Sequence, residues 1–328
     1  MLKTNISPHI HSKESVQRSM WNVNIALLPA LAASVYFFGV RSLWLVLISV
    51  ITALISEAVM QILFKKKVTI FDGSAVITGV LVAFNMPPAV PFYVPIIGTM
   101  FAIIIVKHLF GGLGNNIFNP ALAGRVFVMF AWLPEMTTWN IPLDPAWIQQ
   151  FDILNFRIDT ITAATPLAIN KLKGMEGLIS EFGSKAAMYK QLFIGNIGGC
   201  IGETSALALL AGGLYLMLKK IIIPIIPLLY IVTVFAVTSA AGQDGLFHIL
   251  AGGLIIGAFF MATDYVASPF TMRGTIIYAI GCGLITALLR LKGGLPEGVS
   301  FSILLMNSLT PLIDKYTRVK IYGEKRKK

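Results

Sequence analysis

Thr165 is the residue of this chain best suited to covalent chemistry. Its hydroxyl follows two alanines in the stretch Asp159-Thr160-Ile161-Thr162-Ala163-Ala164-Thr165-Pro166-Leu167, six residues after a carboxylate. A threonine hydroxyl can carry a phosphoester, and the two alanines leave the approach to it uncrowded. The stretch lies in the one long hydrophilic part of an otherwise apolar chain, roughly residues 135–195. Thr165 is therefore a candidate attachment site.

The same threonine has a structural interpretation. Thr165 precedes Pro166 and then Leu167-Ala168-Ile169-Asn170-Lys171, which is typical of a helix N-cap with proline at the first helical position. The two interpretations are compatible, because a helix start offers free backbone NH groups and a favourable dipole to a phosphate. The residues alone leave both open.

Four charged residues stand in or at the end of apolar segments: Glu57, Arg125, Glu203 and Asp264. An ionised group inside a membrane is costly unless it is paired or hydrated, so partners or a wet cavity are expected. We expect Arg125 to form a buried pair with Glu57 or Glu203; contact with a ligand or a translocated ion is the alternative. Asp264 could equally cap a broken helix.

Glycines and asparagines alternate with apolar residues in the segment 111–119, which includes Asn115 and Asn116. Glycine lets the backbone turn within the membrane zone, and amide side chains can satisfy the carbonyls that are freed, provided the segment is buried or lines a cavity. One interpretation is structural: the segment is a re-entrant connector. The other is functional: the segment forms the wall of a ligand pocket.

Several other kinds of site are disfavoured. Cys200 and Cys282 lie far apart in apolar segments, so no disulfide framework or CxxC motif can be built. His108 and His248 have no companions at metal-ligand spacing, and we expect no metal site. No Gly-x-Gly-x-x-Gly or Walker loop is present, so NAD and ATP are expected to bind elsewhere. We nominate no acid–base catalytic residue.

The composition is that of an all-α polytopic membrane protein. Of 328 residues, 56% are apolar and 12% are charged, with a mean hydropathy of +0.79; a soluble domain has about 25% charged residues. The net charge is +11, but seven of the 26 basic residues fall within 315–328. They indicate a tail at the membrane edge, so no nucleic-acid partner is expected.

The apolar segments predict about ten transmembrane helices, since about 20 apolar residues cross a bilayer and fewer suffice in broken spans. The predicted spans are 23–39, 43–64, 71–87, 94–110, 117–134, 196–217, 221–241, 246–262, 274–290 and 298–314. The segments that result are an N-terminal stretch 1–22, a first group of five helices 23–134, the long loop 135–195, a second group 196–314 and a basic tail 315–328.

The two groups of five predicted helices contain similar sequence patterns. Val106-Lys107 followed by Gly111-Gly112-Leu113 matches Leu289-Arg290 followed by Gly293-Gly294-Leu295. An odd number of spans per group places the second copy upside down, as in an inverted repeat. The connections on the side of the N-terminus carry 17 basic residues and those on the other side 8. We therefore expect both termini to be cytoplasmic and the loop with Thr165 to face outward.

Several stretches of this sequence resemble one family of membrane proteins. The pattern formed by Asp159, Thr162, Ala163, Ala164 and Thr165 resembles the flavinylation motif D-x-x-[ST]-G-A-[ST] of the membrane subunits of Rnf and Nqr redox complexes, with alanine where glycine is usual. Other stretches similar to these subunits are Gly111 to Ala121, Ile201 to Ser205, Phe260 to Asp264 and Met306 to Arg318. The short N-terminal stretch and the Tyr316-Thr317-Arg318 tail resemble the D subunit of Rnf more than the B subunit of Nqr.

The resemblance implies a membrane flavoprotein within a complex that moves electrons between ferredoxin and NAD while Na⁺ or H⁺ crosses the cell membrane. It implies FMN bound covalently to Thr165 after delivery by a flavin transferase, and it makes plausible a second, non-covalent flavin such as riboflavin. Expected partners are the Rnf subunits A, B, C, E and G. The architecture it implies, two inverted groups of five helices, is similar to that of urea channels.

Three alternatives stay open at this point. The chain could be an Nqr-type B subunit. It could be a passive solute channel or transporter, because one architecture hosts unrelated functions. It could also be a structural anchor for other redox subunits.

Overall fold

The computed structural model describes residues 15–140, 142, 164–293 and 298–318. These residues form helices joined by turns and irregular segments. The helices are α1 Val16–Phe38, α2 Val40–Leu63, α3 Ser74–Phe84, α4 Tyr93–His108, α5 Pro120–Ala131, α6 Leu133–Met136, α7 Pro166–Phe182, α8 Lys185–Ile194, α9 Ala206–Leu218, α10 Ile225–Ala240, α11 Gly245–Leu250, α12 Leu254–Ile256, α13 Met272–Lys292 and α14 Val299–Thr317. The second half of α4 is a π-helix, and another π-helix, Gly257–Met261, continues α12.

Several helices are long and apolar enough to cross a membrane. Within the described residues, α1, α2 and α13 meet this condition with 23, 24 and 21 residues, and α3, α4, α5, α9 and α10 are shorter apolar helices. For the residues that the structure describes, the helices and their lengths confirm the expectation of an all-helical membrane protein. The membrane-length helices leave much of their apolar surface exposed, as a lipid-facing helix must.

The first helix begins at Val16, earlier than the predicted start at 23. Ser15 caps it by accepting a hydrogen bond from the Arg18 backbone NH at 3.1 Å. The polar first turns then bind the segment before α3: Trp21 Nε1 donates to Phe71 O and Asn24 Nδ2 donates to Gly73 O. The helix extends into this polar stretch because the side chains of Trp21 and Asn24 are hydrogen-bonded to the segment before α3.

The predicted span 246–262 is broken in the structure. Between α11 and α12, Ala251 is extended (φ −87°, ψ 138°) and Gly252 has a φ of +68°. Glycine tolerates this left-handed conformation at no steric cost. Arg290 of α13 donates hydrogen bonds to the carbonyls of His248 and Ala251, which satisfies the acceptors that the break releases.

The two halves of the chain interlock. We call the described residues before 135 the first half and those after 195 the second half. α1 packs against α9, and α5 against α14, so each contact joins the halves. The backbone NH groups of Ile201 and Gly202 donate to the carbonyls of Met86 and Phe84, at 3.0 Å each. The loop before α9 is thereby bonded to the end of α3 in the centre of the molecule.

Candidate cofactor sites

Thr165 is the N-cap of α7, as its sequence context predicted. Its φ and ψ are −63° and 152°, Oγ1 accepts a hydrogen bond from the Ala168 NH at 3.3 Å, and Pro166 occupies the first helical position. The Thr165 side chain is only 5% exposed, whereas Ala164 is exposed. Asp159, Thr162 and Ala163 lie outside the described residues, so the motif is seen only from Ala164 onward.

Thr165 lies at a small cavity of about 270 Å³. We call it the Thr165 cavity; its lining residues are Thr165, Pro166, Leu167, Ile197, Gly198, Gly199, Glu203, Thr204 and Gly252. Its walls bring together α7, the loop before α9 and the break between α11 and α12. Three of the lining residues are glycines, Gly198, Gly199 and Gly252.

The predicted site residue Glu203 belongs to this cavity. Its side chain is 5% exposed, and Oε1 accepts a hydrogen bond from the Cys200 NH at 3.2 Å. A Cβ at Gly253 would stand 2.6 Å from Glu203 Oε2, so the carboxylate would have to shift to make room for one. Glu203 therefore holds the loop that forms the floor of the cavity.

A three-residue contact ties the neighbouring helix α8 to the start of α11. Asp244 caps α11, and its Oδ2 accepts hydrogen bonds from Tyr189 Oη and from Lys185 Nζ, the latter at 2.7 Å. Burial raises the pKa of Tyr189 to about 12, and the hydrogen bond to Asp244 adds to the shift. For Asp244, burial acts to raise the pKa, but the hydrogen bonds from Lys185, Tyr189 and the Phe247 NH together lower it below its usual value.

A second, larger cavity lies elsewhere in the fold. We call it the Asn116 cavity. Its polar lining residues include Ser74, Thr78, Lys107, Asn116, Asn119, Thr263 and Asp264, and its apolar ones include Leu81, Leu216, Phe259 and Phe260. Apolar walls with a few convergent polar groups are the usual form of a small-molecule site.

The two adjacent asparagines named from the sequence have different environments. Asn116 is buried, and its Nδ2 donates to Phe118 O at 3.1 Å and to Asp264 Oδ2 at 3.5 Å. Asn115 is exposed and lines a separate surface cavity. Asp264 also accepts from the Val266 NH at 3.1 Å, so it closes a turn after the π-helix.

Asn119 is a wall residue that the sequence analysis did not single out. It caps α5 through its Oδ1, which accepts from the NH groups of Ala121 and Leu122, and its Nδ2 donates to Met261 O at 3.2 Å. The Asn-Pro pair at 119–120 is a recognisable N-cap signal. The contact with Met261 could not be predicted from the residues around Asn119, because Met261 lies 142 residues away in the sequence.

Glu57 has an ion-pair partner that the sequence analysis did not name. Glu57 forms its ion pair with Lys107, with Oε2 and Nζ 2.6 Å apart and both side chains almost fully buried. Lys107 also donates to Ser74 Oγ at 2.8 Å, and Gln61 donates to Glu57 Oε1 at 3.2 Å. A buried pair needs such additional hydrogen bonds to offset its desolvation. The pair stands at the wall of the Asn116 cavity, which Lys107 lines.

Arg125, which we expected beside a carboxylate, donates hydrogen bonds to an amide, a hydroxyl and a thiol. Nη1 donates to Asn85 Oδ1 at 2.9 Å and to Ser300 Oγ at 3.1 Å, and Nη2 donates to Cys200 Sγ at 3.6 Å. Cys200 in turn donates its NH to Glu203. Arg125 and Glu203 are therefore linked through Cys200.

The described residues define an all-helical protein with several helices of membrane-spanning length. The model of the NQR2, RnfD, RnfE family matches residues 3–323, and the chain belongs to that family.

Similar proteins of this family cover almost the whole chain. It is 51% identical to the D subunit of the Na⁺-translocating ferredoxin:NAD⁺ oxidoreductase complex of Acetobacterium woodii, over 98% of this chain and 95% of that protein. It is 46% identical to the D subunit of the proton-translocating ferredoxin:NAD⁺ oxidoreductase complex of Clostridium ljungdahlii, over 98% and 96%. It is 39% identical to the D subunit of the ion-translocating oxidoreductase complex of Stutzerimonas stutzeri, over 95% and 93%.

Proposed function

We propose that this chain is the D-type membrane subunit of a complex that couples electron transfer between ferredoxin and NAD to the movement of Na⁺ or H⁺, and that it carries FMN as a phosphoester on Thr165. The observation that carries the flavin assignment is the position of the Thr165 hydroxyl, at a helix N-terminus and at the edge of a glycine-lined cavity. Similarity to the D subunits of three ion-translocating complexes supports the complex and the D-type assignment.

The residues around Thr165 fit a phosphate-linked group. The start of α7 offers backbone NH groups and a positive dipole end to the phosphate. Gly198, Gly199 and Gly252 line the same cavity as Thr165. FMN, when bound, supplies reversible one- and two-electron chemistry. The chain's own task is to hold the phosphate at the helix start and to set the surroundings of the ring.

A second, non-covalent flavin such as riboflavin is proposed for the Asn116 cavity. Its apolar walls with a few convergent polar groups are typical of a small-molecule site. Asn116 and Asn119 supply amide groups and Phe259 and Phe260 supply apolar surface on the same walls. This site is independent of Thr165, because the ligand would be held by contacts rather than by a bond.

The membrane arrangement is also part of the proposal. We propose ten spans in two inverted groups of five, with both termini cytoplasmic and Thr165 on the outer side. Two matched contacts support the repeat. Lys107 donates to Ser74 at the start of α3, and Arg290 donates to Ala251 beside the start of α12. Each of these helices follows a glycine of positive φ, Gly73 and Gly252.

Substitutions at Thr165 separate the helix cap from the flavin bond. Serine keeps both the cap and a hydroxyl, and asparagine keeps a cap but has no hydroxyl to esterify. We expect a fluorescent band on a denaturing gel under ultraviolet light for the wild type and Thr165→Ser, and none for Thr165→Asn or Thr165→Ala. The cells must contain the flavin transferase.

The control is the amount of folded protein, which Thr165→Asn should leave close to that of the wild type. A wild-type band without fluorescence, or a fluorescent Thr165→Asn band, would contradict the proposal. Intact coupled electron transfer in Thr165→Asn would favour the structural-anchor alternative.

A further inference from the structure

A surface groove lies where the start of α13 meets the end of α14. Two contacts join these helix ends: the Phe270 backbone NH donates to Asp314 Oδ1 at 3.1 Å, and the hydroxyls of Thr271 and Thr317 are hydrogen-bonded to each other at 2.5 Å. We call this feature the α13–α14 groove. Its lining residues are Phe270, Thr271, Pro311, Asp314, Lys315 and Arg318.

Two cations of the groove are available to a ligand. Lys315 and Arg318 are exposed, and neither forms a hydrogen bond or an ion pair with another residue that the structure describes. The carboxylate among the lining residues, Asp314, already accepts a hydrogen bond from the Phe270 NH. The lining therefore carries two positive charges against one negative charge, and the charges without partners are the positive ones. This balance favours an anionic ligand.

An apolar surface of α14 ends beside these cations. Four exposed residues of this helix are spaced by four, three and four positions: Leu305, Leu309, Leu312 and Tyr316. Side chains at this spacing lie along one face of a helix. Phe270, which is 85% exposed, adds an aromatic ring in the groove itself. A ligand at this place meets cations at one end and apolar side chains along its length, as an amphiphile requires.

The groove also lies at the level of lipid headgroups. α13 is long and apolar enough to cross a membrane, and it exposes Met272, Ile276 and Ile280 in the turns that follow the groove. Exposed apolar residues of a helix that crosses a bilayer face hydrocarbon. The groove, at the end of this helix, is therefore placed at the boundary between hydrocarbon and water.

We propose that the α13–α14 groove binds the phosphate of an anionic phospholipid, with Lys315 and Arg318 as hydrogen-bond donors and the acyl chains against the exposed leucines of α14. Basic pockets between membrane helices bind anionic headgroups, and lysine and arginine near the surface attract such lipids. A guanidinium can bind two phosphate oxygens at once, and an ammonium adds a second charge. A ring such as that of Tyr316 is typical of the headgroup level.

The basic tail supports the same assignment from the sequence. Five further basic residues and one acidic residue follow within 319–328, outside the described residues. A cluster of this kind next to a membrane helix raises the local concentration of anionic lipid, and the groove supplies the defined site. The inference does not depend on the flavin assignment, because it uses only residues at the ends of α13 and α14.

Lipid titration followed by native mass spectrometry tests the site. The full-length protein in detergent is titrated with phosphatidylglycerol or phosphatidylcholine, and the bound lipid is counted. We expect the wild type to prefer phosphatidylglycerol, and Lys315→Gln/Arg318→Gln to bind it at least about tenfold more weakly. Lys315→Arg/Arg318→Lys keeps both charges and should stay close to the wild type. A folded glutamine variant that binds phosphatidylglycerol like the wild type would refute the site.

Two control variants separate the groove from positive charge elsewhere. Lys219→Gln/Lys220→Gln removes two exposed lysines just after α9, and neither of them lines the groove. Lys325→Gln/Arg326→Gln/Lys327→Gln/Lys328→Gln removes four charges from the tail. Each control should weaken binding of phosphatidylglycerol less than the groove variant does. An equal loss in either control would overturn the proposal, because it would assign the attraction to charge in general.

Two further measurements distinguish a lipid from the other possible occupants. Inorganic phosphate and glycerol phosphate should not displace phosphatidylglycerol at equal concentration; displacement by either would overturn the proposal in favour of a free anion. In the assembled complex, loss of another subunit from the glutamine variant, with its lipid binding unchanged, would overturn it in favour of a protein interface. The unfolding temperature in phosphatidylcholine should not change, since Lys315 and Arg318 are both exposed.

Discussion

Leu167 of α7 lies against Gly252, with its Cδ1 2.7 Å from the position that a Cβ of residue 252 would take. Leu167 is 4% exposed, and Gly252 has a φ of +68° in the break between α11 and α12. The contact seats the first turn of α7, and therefore Thr165, on the second half of the chain. The position of the candidate flavin site thus depends on the absence of a side chain 87 residues away.

Gly252→Ala should displace the start of α7. The added methyl group meets Leu167 and the backbone is strained at positive φ, so we expect a loss of about 1–3 kcal/mol in unfolding free energy and less covalent flavin per protein. Gly242→Ala is the control, because Gly242 also has a positive φ, +77°, but no atom within 4 Å of its added Cβ. Thermal unfolding and gel fluorescence measure both effects. Equal flavin loss in the two variants would contradict the expectation.

Breaking the Glu57–Lys107 pair should be costly in either single variant. Glu57→Gln and Lys107→Met each leave one buried charge uncompensated, and we expect each to lower the unfolding free energy by about 3–5 kcal/mol. The double variant should lose much less than the sum. Lys66→Met, at an exposed lysine that donates to Gly111 O, is the control and should change little. Additive losses from the two single variants would show that the pair is not coupled.

The contact of α8 with Asp244 should respond to pH at both extremes. Because the folded pKa of Asp244 is lowered, its stabilisation is present above the unfolded value of about 3.9 and is lost as the pH falls through the folded value. Because the pKa of Tyr189 is raised to about 12, its contribution is complete below about 10 and is lost between about 10 and 12.

Hydrogen exchange of the backbone of residues 185–194 measures this dependence. Tyr189→Phe should abolish the alkaline loss of protection and keep the acid one. Asp244→Asn still caps α11 but has no charge, so it should abolish the acid loss. The interpretation fails if Asp244→Asn keeps the acid transition of the wild type.

Asn116→Ala should release the proposed non-covalent flavin, because it removes a buried amide from the wall of the Asn116 cavity. Asn115→Ala is a matched control one residue away, because Asn115 is exposed and does not line the Asn116 cavity. The measurement is the flavin released by acid denaturation, relative to flavin that stays bound to the protein. Equal release from both variants would argue against this location. Thr165→Asn should leave the non-covalent flavin in place.

Local features were predictable from the sequence. Thr165 was expected to cap a helix with Pro166 at its first position, and the structure agrees, because a cap depends on residues within one helical turn. The apolar composition likewise indicated a helical membrane protein, since only helices satisfy their own backbone within a bilayer. The start of α1 at Val16 was missed because its polar turns are bound by residues near Phe71.

The sequence by itself determined the class of the protein, the candidate attachment residue and the need for partners at Glu57 and Arg125. Only the tertiary structure decided which partners these are: Lys107 for Glu57, and Asn85, Ser300 and Cys200 for Arg125. It also put Asn116 in a cavity and Asn115 on the surface. The physical reason is that a buried charge must be compensated, but which groups compensate it depends on how helices far apart in sequence pack together.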